Sequence, residues 1–400
     1  MTTTRRPGFA TLCVHGRKHW DKHEDDFPIR SVSTPIYMSS TFAFASAEEG
    51  AGIFSGEQGG YVYTRLGNPT TTALEKEMAY LEGAEAGLAF TSGMAAISAI
   101  TFALCRTGDN LVAARCLYGG THKFFDGMCP RFGIEARPVR GTDLESVAGA
   151  IDERTRMIYV ETPANPNMEL IDIEAAANVA RNAGIPLVVD NTFATPYLQN
   201  PIHLGATIVM HSATKYIGGH GDTVAGVVVG PQEFMDMLRG EYLRDLGGNI
   251  SPFNAWLLLR GLKTLPVRMD RHCQSAMEIA QYLNYHPKIE RVYYPGLRNH
   301  PQYDLGRRQM RGFGGMIAFD VKGGRDAGRG VCNAVRLWTL AVSLGDVDSL
   351  IEHPASMTHS TYTEEQLAKA GIGTGMVRLS VGLEDVDDLI EDLRLALDRV

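Results

Sequence analysis

Short apolar runs alternate with amphipathic, helix-like stretches between about residues 66 and 230. Runs such as LVVD and GVVVG are apolar at every position, which is typical of strands covered on both faces. Strand and helix in turn at this spacing predict a mostly parallel, doubly wound α/β sheet. The predicted strands cover residues 87–91, 110–114, 157–161, 186–190, 208–211 and 225–230, and predicted helices cover 95–104 and 173–183.

The pattern changes after residue 264, where a long helical stretch is followed by a Pro/Gly-rich passage. We therefore predict a large domain over 67–264 and a smaller C-terminal α/β domain over 265–400. Residues 1–66 are rich in Ser, Thr and Gly and predict an extended N-terminal arm rather than a domain. The predicted C-terminal elements are helices over 267–284 and 386–400 and strands over 316–321 and 377–381.

Composition narrows the class of protein. The chain has 400 residues, of which 44% are hydrophobic and 21% charged, a balance typical of a globular protein with a sizeable core. A net charge of −8 argues against a nucleic-acid partner, which would require a basic face. Residues 86–105 carry no charge and are long enough to be considered as a membrane span, but they include several hydroxyl groups and glycines. This segment therefore predicts a buried strand that continues into a helix, and no membrane partner is expected.

Cysteine and histidine spacing bears on compartment and metal binding. The six cysteines lie far apart without a CxxC pair, which favours a reducing compartment and predicts a cytoplasmic protein. His15, His19 and His23 recur at every fourth position, but Gly16 and the acidic run that follows disfavour a helix there. No metal site is therefore expected.

Three features of the large domain point to one kind of site. Asp190 ends the run LVVD and should emerge at the carboxyl end of a central strand, where open α/β sheets place ligands. Lys215 ends the stretch HSATK, in which Ser212 and Thr214 carry hydroxyl groups able to bind an anion. Taken alone, such an Asp more often caps a turn and such a Lys is as often solvated.

The third feature is Thr-Ser-Gly-Met at residues 91–94, between a predicted strand and helix. Ser92 is a plausible cap, and the N–H groups from Gly93 onward form a helix N-terminus that attracts phosphate. A lysine for covalent attachment, a carboxylate for a pyridinium nitrogen and a phosphate cradle together predict a pyridoxal-phosphate (PLP) site. A nucleotide site has little support, since no GxxxxGK[ST] occurs.

These residues also lie in blocks that resemble a known family. The sequence is similar over nearly its whole length to the γ-family of Cys/Met-metabolism enzymes, which are PLP-dependent and of fold-type I, and within it to the methionine γ-lyases most of all. The matching blocks are YTRLGNPT (63–70), SGMAAI (92–97), LYGGT (117–121), ETPANPN (161–167), VVDNTFATPY (188–197), HSATKYIGGHGD (211–222), AVSLGD (341–346), HPASMTHS (353–360) and VRLSVGLED (377–385).

The resemblance implies a role for individual residues of this chain and a homotetramer built as a dimer of dimers with shared sites. It implies that Lys215 carries the cofactor covalently and removes the Cα proton, that Asp190 meets the pyridine nitrogen, and that Tyr118 stacks on the ring and acts as an acid. For the rest of the cofactor it implies that Asn165 binds the ring 3′-oxygen and that the phosphate is held by Gly93, Met94, Ser212 and Thr214, with Tyr63 and Arg65 reaching the phosphate of a neighbouring subunit. It also implies that Arg378 and Ser343 hold the substrate carboxylate.

The activity implied is α,γ-elimination of L-methionine to methanethiol, 2-oxobutanoate and ammonia. Val342 stands where cystathionine lyases of the family commonly carry Glu, which favours a substrate with an uncharged distal end. Gly120 stands where methionine γ-lyases commonly carry Cys and is expected to leave a small void, and Arg244 replaces a common Lys. An O-acetyl- or O-succinylhomoserine sulfhydrylase and a cystathionine γ-lyase therefore remain alternatives. A binding protein without turnover is disfavoured because Lys215 is retained.

Overall fold

The computed structural model describes residues 8–15, 31–360 and 362–400, and their strands form two sheets. The strands are β1 (Ala86–Phe90), β2 (Asn110–Ala114), β3 (Glu135–Val139), β4 (Thr155–Glu161), β5 (Leu187–Asp190), β6 (Ile208–Ser212), β7 (Gly226–Gly230), β8 (Ile289–Tyr293), β9 (Met316–Val321), β10 (Thr339–Leu340), β11 (Leu350–Glu352) and β12 (Met376–Ser380).

Helices fill most of the connections between these strands. The α-helices are α1 (Phe9–His15), α2 (Ala47–Ser55), α3 (Pro69–Glu82), α4 (Gly93–Leu104), α5 (Gly119–Lys123), α6 (Leu144–Gly149), α7 (Ile173–Ala183), α8 (Thr195–Leu198), α9 (Gln232–Met237), α10 (Arg244–Leu246), α11 (Pro252–Leu262), α12 (Leu265–Asn284), α13 (Tyr303–Gln309), α14 (Gly324–Ala334), α15 (Glu364–Lys369) and α16 (Val386–Leu397).

The seven-stranded sheet has the order β1-β7-β6-β5-β4-β2-β3. Strands β6, β5, β4, β2 and β3 run parallel to one another, and β7 is antiparallel to both of its neighbours. The mostly parallel sheet predicted from the sequence is therefore confirmed. Each of the six strands predicted for it is present, with ends that differ by at most two residues.

The sequence analysis missed one strand of this sheet and the two helices that the structure describes within the predicted arm. Strand β3 lies at the sheet edge, and its sequence EARPV is polar and mostly unburied. Edge strands need no apolar run and tolerate proline, so the hydrophobic pattern does not reveal them. The segment predicted to be an extended arm contains α1 and α2, and the hydroxyl of Ser46 caps α2 by accepting from the N–H of Glu49.

The second sheet has the order β10-β11-β12-β9-β8 and is antiparallel except between β10 and β11. It has a hydrophobic cluster of its own, in which Phe319 and Leu379 of the sheet join Leu389 and Leu393 of α16. The predicted domain boundaries at 66 and 264 stay a prediction. Residues 86–105 form β1 and α4, and none of the described helices combines the length and apolarity needed to cross a bilayer.

Several of the predicted site residues lie at one edge of the large sheet. Strands β4, β5 and β6 are parallel neighbours, so their carboxyl ends meet at the same side of the sheet. Glu161 at the end of β4 pairs in register with Asp190 at the end of β5, and Asp190 pairs with Met210 of β6. Ser212 ends β6, and Lys215 follows within the next turn.

Candidate active site

Asp190 is buried at the end of β5 with three hydroxyl or amide donors around it. Its Oδ1 accepts from the backbone N–H of Thr192 at 3.0 Å and from the Thr192 hydroxyl at 2.5 Å. Its Oδ2 accepts only a long bond, 3.4 Å, from the hydroxyl of Tyr159. Burial raises the pKa of Asp190, although the Thr192 hydrogen bonds and the nearby His211 oppose that rise. A cationic N–H donor at Oδ2 would stabilise the ionised carboxylate.

Lys215 lies in the turn after β6, where its Nζ donates to the hydroxyl of Ser343 at 3.0 Å. Burial, followed by the nearby charge of Arg378, lowers the pKa of Lys215 below its ordinary value. A lysine of lowered pKa is more often neutral, which is the form that acts as nucleophile or base. Gly345 permits this contact: its φ is +79°, and a Cβ there would lie 2.7 Å from the backbone nitrogen of Tyr216.

The start of α4 lies against the end of β6. Ser92 caps the helix by accepting from the N–H of Ala95 at 3.1 Å. Gly93 and Met94 precede that N–H and supply the first helical N–H groups, which have no acceptor within a helix. A Cβ on Gly93 would lie 3.1 Å from Cβ of Ser212, so the helix terminus and the serine hydroxyl converge. The predicted cap is confirmed, and the helix begins two residues before the predicted start.

Thr214 follows β6 beside the predicted phosphate site, but its hydroxyl already makes two hydrogen bonds within the chain. Its hydroxyl donates to the carbonyl of Ala225 at 3.2 Å and accepts from the N–H of the same residue at 3.0 Å. A phosphate contact from Thr214 would therefore replace or share one of these bonds. Its predicted phosphate role stays a prediction, as does that of Ser212.

Arg378, in the middle of β12, is almost fully buried and surrounded by acceptors. Its Nη1 donates to Asn165 Oδ1 at 2.9 Å and lies 3.1 Å from Oε1 of the buried Glu352. Its Nη2 donates to the carbonyls of Val342 at 3.0 Å and Ser343 at 2.9 Å. Four acceptors thus occupy the two terminal nitrogens, so a substrate carboxylate must displace at least one of them or use Nε, which is buried without a partner.

Tyr118 immediately precedes α5, and 49% of its surface is exposed, so its phenol faces open space beside the buried groups. Its backbone N–H donates to Glu161 Oε2 at 2.8 Å. The small void expected beside Gly120 is absent: a Cβ on Gly120 would lie 2.4 Å from Cε1 of Tyr118. That expectation is wrong because the tyrosine ring itself occupies the space a larger side chain would need.

Tyr63 and Arg65 are not brought into this cluster by their own chain. The guanidinium of Arg65 lies 5.5 Å from the centre of the Tyr63 ring, and its Nη1 donates to the carbonyl of Arg244. Arg244 in turn pairs with Asp245, Nε to Oδ1 at 2.8 Å, on the exposed surface. Among the described residues no group of three or more His, Cys, Asp or Glu is placed to hold a metal ion, and His19 and His23 lie outside those residues.

A family model for the Cys/Met metabolism PLP-dependent enzymes matches residues 10–398. The chain belongs to this family. The L-methionine gamma-lyase of Pseudomonas putida is 50% identical over 396 residues, which cover 99% of this chain and 98% of that one. The O-succinylhomoserine sulfhydrylase of Pseudomonas aeruginosa is 46% identical over 362 residues, 90% of each chain.

A solved structure of a Campylobacter jejuni protein described as an O-acetylhomoserine (thiol)-lyase superposes with a TM-score of 0.92 at 35% identity, covering 98% of this chain and all of that one. It contains a pyridoxyl-lysine monophosphate adduct. The predicted fold of PLP-dependent transferase type is confirmed, and the cofactor is pyridoxal 5′-phosphate.

The residues present fit this cofactor. Asp190 Oδ2 has capacity for a ring N–H donor, the start of α4 offers N–H groups, and the partly buried Lys215 contacts Ser343, whose carbonyl accepts from Arg378. A Cβ on Gly226 would lie 2.3 Å from the carbonyl oxygen of Ser92, so only glycine lets the loop before α4 approach the sheet this closely.

Sequence reasoning missed several supporting residues. Thr192 holds Asp190, Glu352 pairs with Arg378, and Glu161 binds the N–H groups of Tyr118 and Asn165. For Glu161 a signal existed, because the run MIYVE ends in a carboxylate just as LVVD does. For Glu352 none existed, since its partner lies in another strand and is identified only by the β11–β12 register.

Proposed function

We propose that this protein catalyses the α,γ-elimination of L-methionine and related sulfur amino acids to methanethiol, 2-oxobutanoate and ammonia. The observation that carries the proposal is that Asp190 and Lys215 follow neighbouring parallel strands of the large sheet, while Arg378 of the second sheet is joined to Lys215 through Ser343. An apolar residue, Val342, lies 56% exposed beside Arg378. The similarity to the Pseudomonas putida L-methionine gamma-lyase supports the choice of reaction.

When bound, PLP supplies an electron sink that stabilises the negative charge left at Cα after proton loss. Lys215 and Asp190 would hold it, with Gly93, Met94, Ser212 and Thr214 at its phosphate. Asn165, whose Oδ1 accepts from Arg378, would donate to the ring oxygen from its amide nitrogen. Tyr118 would stack on the ring.

The protein's own groups then bind the substrate and move its protons. Arg378 and Ser343 hold the α-carboxylate, which replaces carbonyl acceptors at Nη2. Lys215, with its pKa lowered by burial and by Arg378, takes the Cα proton. A second proton then leaves Cβ, and the electron pair left there expels the thiol from Cγ. The exposed phenol of Tyr118 protonates the departing sulfur.

The substrate's distal end decides between methionine and charged relatives. Val342 offers no carboxylate to a second amino group, so an ammonium there would lose part of its hydration without gaining an ion pair. Because Val342 is 56% exposed, the penalty is less than that of full burial, about 1–3 kcal/mol or roughly 10- to 200-fold in relative rate. The enzyme should therefore prefer an uncharged thioether over cystathionine.

One test separates the candidate reactions. The purified protein is incubated with methionine, with cystathionine, and with O-acetyl- or O-succinylhomoserine plus sulfide, and the products are identified. Methanethiol and 2-oxobutanoate formed at the highest kcat/KM support the proposal. Homocysteine formed faster from an acylhomoserine and sulfide would favour the sulfhydrylase, the second candidate, which the 46% identity to such an enzyme supports. Faster cleavage of cystathionine would favour a cystathionine γ-lyase.

We also propose a cytoplasmic homotetramer in which Tyr63 and Arg65 complete the phosphate site of a neighbouring subunit. Tyr63 is 41% exposed and lies away from its own chain's cluster, so its side chain is available to a second copy. The six cysteines are all free thiols, which suits a reducing compartment. Sedimentation analysis of the purified protein tests the assembly.

A further inference from the structure

Glu161 is a buried carboxylate, 3% exposed, to which neither the sequence analysis nor the proposed reaction gives a part. It ends β4, and both of its oxygens accept backbone N–H groups. Oε2 accepts from Tyr118 at 2.8 Å, and Oε1 accepts from Asn165 at 3.0 Å. One side chain therefore joins the segment that precedes α5 to the loop that follows β4.

The connection extends to the arginine that we assign to the substrate carboxylate. The backbone N–H of Asn165 donates to Glu161 Oε1, and the side-chain Oδ1 of Asn165 accepts from Arg378 Nη1 at 2.9 Å. Tyr118, Glu161, Asn165 and Arg378 thus form one hydrogen-bonded series. It spans the site from the group assigned to ring stacking to the group assigned to substrate binding.

The hydrogen bond to Glu161 matters for Tyr118 because the sequence around this residue restricts its backbone little. It is followed by Gly119 and Gly120, and it makes no side-chain cap to α5. Two successive glycines leave the backbone with many accessible conformations. The bond from its N–H to Glu161 anchors the residue to the large sheet at a fixed point.

The electrostatic setting argues against Glu161 as a mere space-filling residue. It stands in register with Asp190 on the neighbouring strand, so two buried carboxyls lie side by side. Burial and the charge of Asp190 raise the pKa of Glu161, while the N–H groups of Tyr118 and Asn165 oppose this. An apolar residue would avoid the repulsion but would leave both N–H groups without an acceptor.

We propose that Glu161 is a positioning residue that fixes Tyr118 relative to Asn165 and, through Asn165, relative to Arg378. Both oxygens are occupied by N–H donors, so it takes no proton from substrate. The inference rests on the proposed roles of Tyr118 and Arg378, and it adds the residue that sets the distance between them.

The test is Glu161→Gln in the PLP-loaded enzyme. Glutamine has the same size, but its amide NH₂ would face an N–H donor, so one of the two bonds is lost. The visible circular dichroism of the bound cofactor, measured without substrate, should change because the stacked ring shifts. A displacement of about 1 Å in a catalytic group lowers rates by up to about 10²-fold, so kcat should fall at least about tenfold, with a smaller change in KM.

Glu169→Gln is the matched control. Glu169 lies in the same loop, and burial raises its pKa too, but among the described residues no hydrogen bond joins its side chain to Tyr118 or Asn165, whose N–H groups bind Glu161. It should retain the wild-type dichroism and kcat. If Glu161→Gln does not fold, Glu161→Asp provides the same comparison, because its shorter side chain cannot reach both N–H groups.

A double variant separates positioning from general destabilisation. If Glu161 acts by placing the phenol of Tyr118, then Glu161→Gln should cost far less activity in a Tyr118→Phe background than in the wild type. Unchanged dichroism and kcat, or losses that simply multiply, would overturn the proposal. The dichroism readout needs no substrate, and kcat is measured on whichever candidate substrate is turned over, so failure of the methionine assignment is distinguished from failure of this one.

Discussion

The pair formed by Arg378 and Glu352 allows a stability prediction. The side chains are 3% and 1% exposed, and 3.1 Å separates Nη1 from Oε1. Burial raises the pKa of Glu352 and lowers that of Arg378, although each partner's charge opposes the shift of the other. For each ion, therefore, the desolvation penalty exceeds the favourable electrostatic energy of the pair. Removing only the arginine leaves a buried carboxylate whose remaining favourable charge is that of Lys215, a weaker influence than Arg378.

Arg378→Gln should therefore cost about 3–5 kcal/mol of stability, the usual penalty for breaking a buried pair from one side. In a cooperative unit of about 150–250 residues this lowers Tm by roughly 6–20 °C. The double variant Arg378→Gln/Glu352→Gln contains no buried charge at this position and should recover most of that loss. Thermal unfolding of all forms, with and without PLP, is followed by far-ultraviolet circular dichroism.

The dependence on pH gives a second measure of the same effect. Without Arg378, the pKa of Glu352 rises further above its ordinary value, so the folded state favours the neutral acid. The deficit of Arg378→Gln should be small near pH 4–5, about the unfolded pKa of Glu, and should grow as pH rises through the raised folded value. A Tm equal to that of the double variant at pH 8 would refute the reasoning, as would a deficit that shrinks with rising pH.

The remaining predictions concern the cofactor, the assembly and the substrate. Borohydride reduction of the yellow protein should fix the cofactor to the peptide containing Lys215, and a label on another lysine would contradict the assignment. Arg65→Ala should weaken cofactor binding, and mixing it with Lys215→Ala chains should restore some activity through one complete site per mixed dimer; no recovery despite proven subunit exchange would exclude shared sites. Val342→Glu should raise kcat/KM for cystathionine relative to methionine, and an unchanged ratio would show that another residue sets specificity.

How well the sequence predicted the fold depends on burial. The strands covered on both faces, such as β5 and β7, carry continuous apolar runs, and those runs can be recognised without any knowledge of their neighbours. The edge strand β3 and the helices α1 and α2 bury less, so the same pattern is weak in them. The pattern of hydrophobic residues reflects burial, so it predicts secondary structure less well where the chain is half exposed.

The same difference is found among the residues of the candidate site. Some can be recognised from the sequence around them, whereas others come together only when the chain folds. Asp190 and Lys215 could be proposed from the sequence because Asp190 ends β5 and Lys215 follows β6 by three residues, and parallel strands bring their carboxyl ends to one edge of a sheet. The partners of Arg378 lie 213 residues away at Asn165 and 36 residues away at Val342, and no local pattern links such positions.

The hydrogen bonds of Arg378 would couple the proposed carboxylate site to Val342, the residue proposed to select the substrate. The carbonyl of Val342 occupies Nη2 of Arg378, and Ser343 holds both Nη2, through its carbonyl, and Lys215, through its hydroxyl. A carboxylate that displaces these acceptors must move the same short segment that carries the Val342 side chain. If Arg378 binds the α-carboxylate and Val342 contacts the distal end of the substrate, as proposed, binding of the carboxylate would also move Val342, and discrimination should appear in kcat as well as in KM.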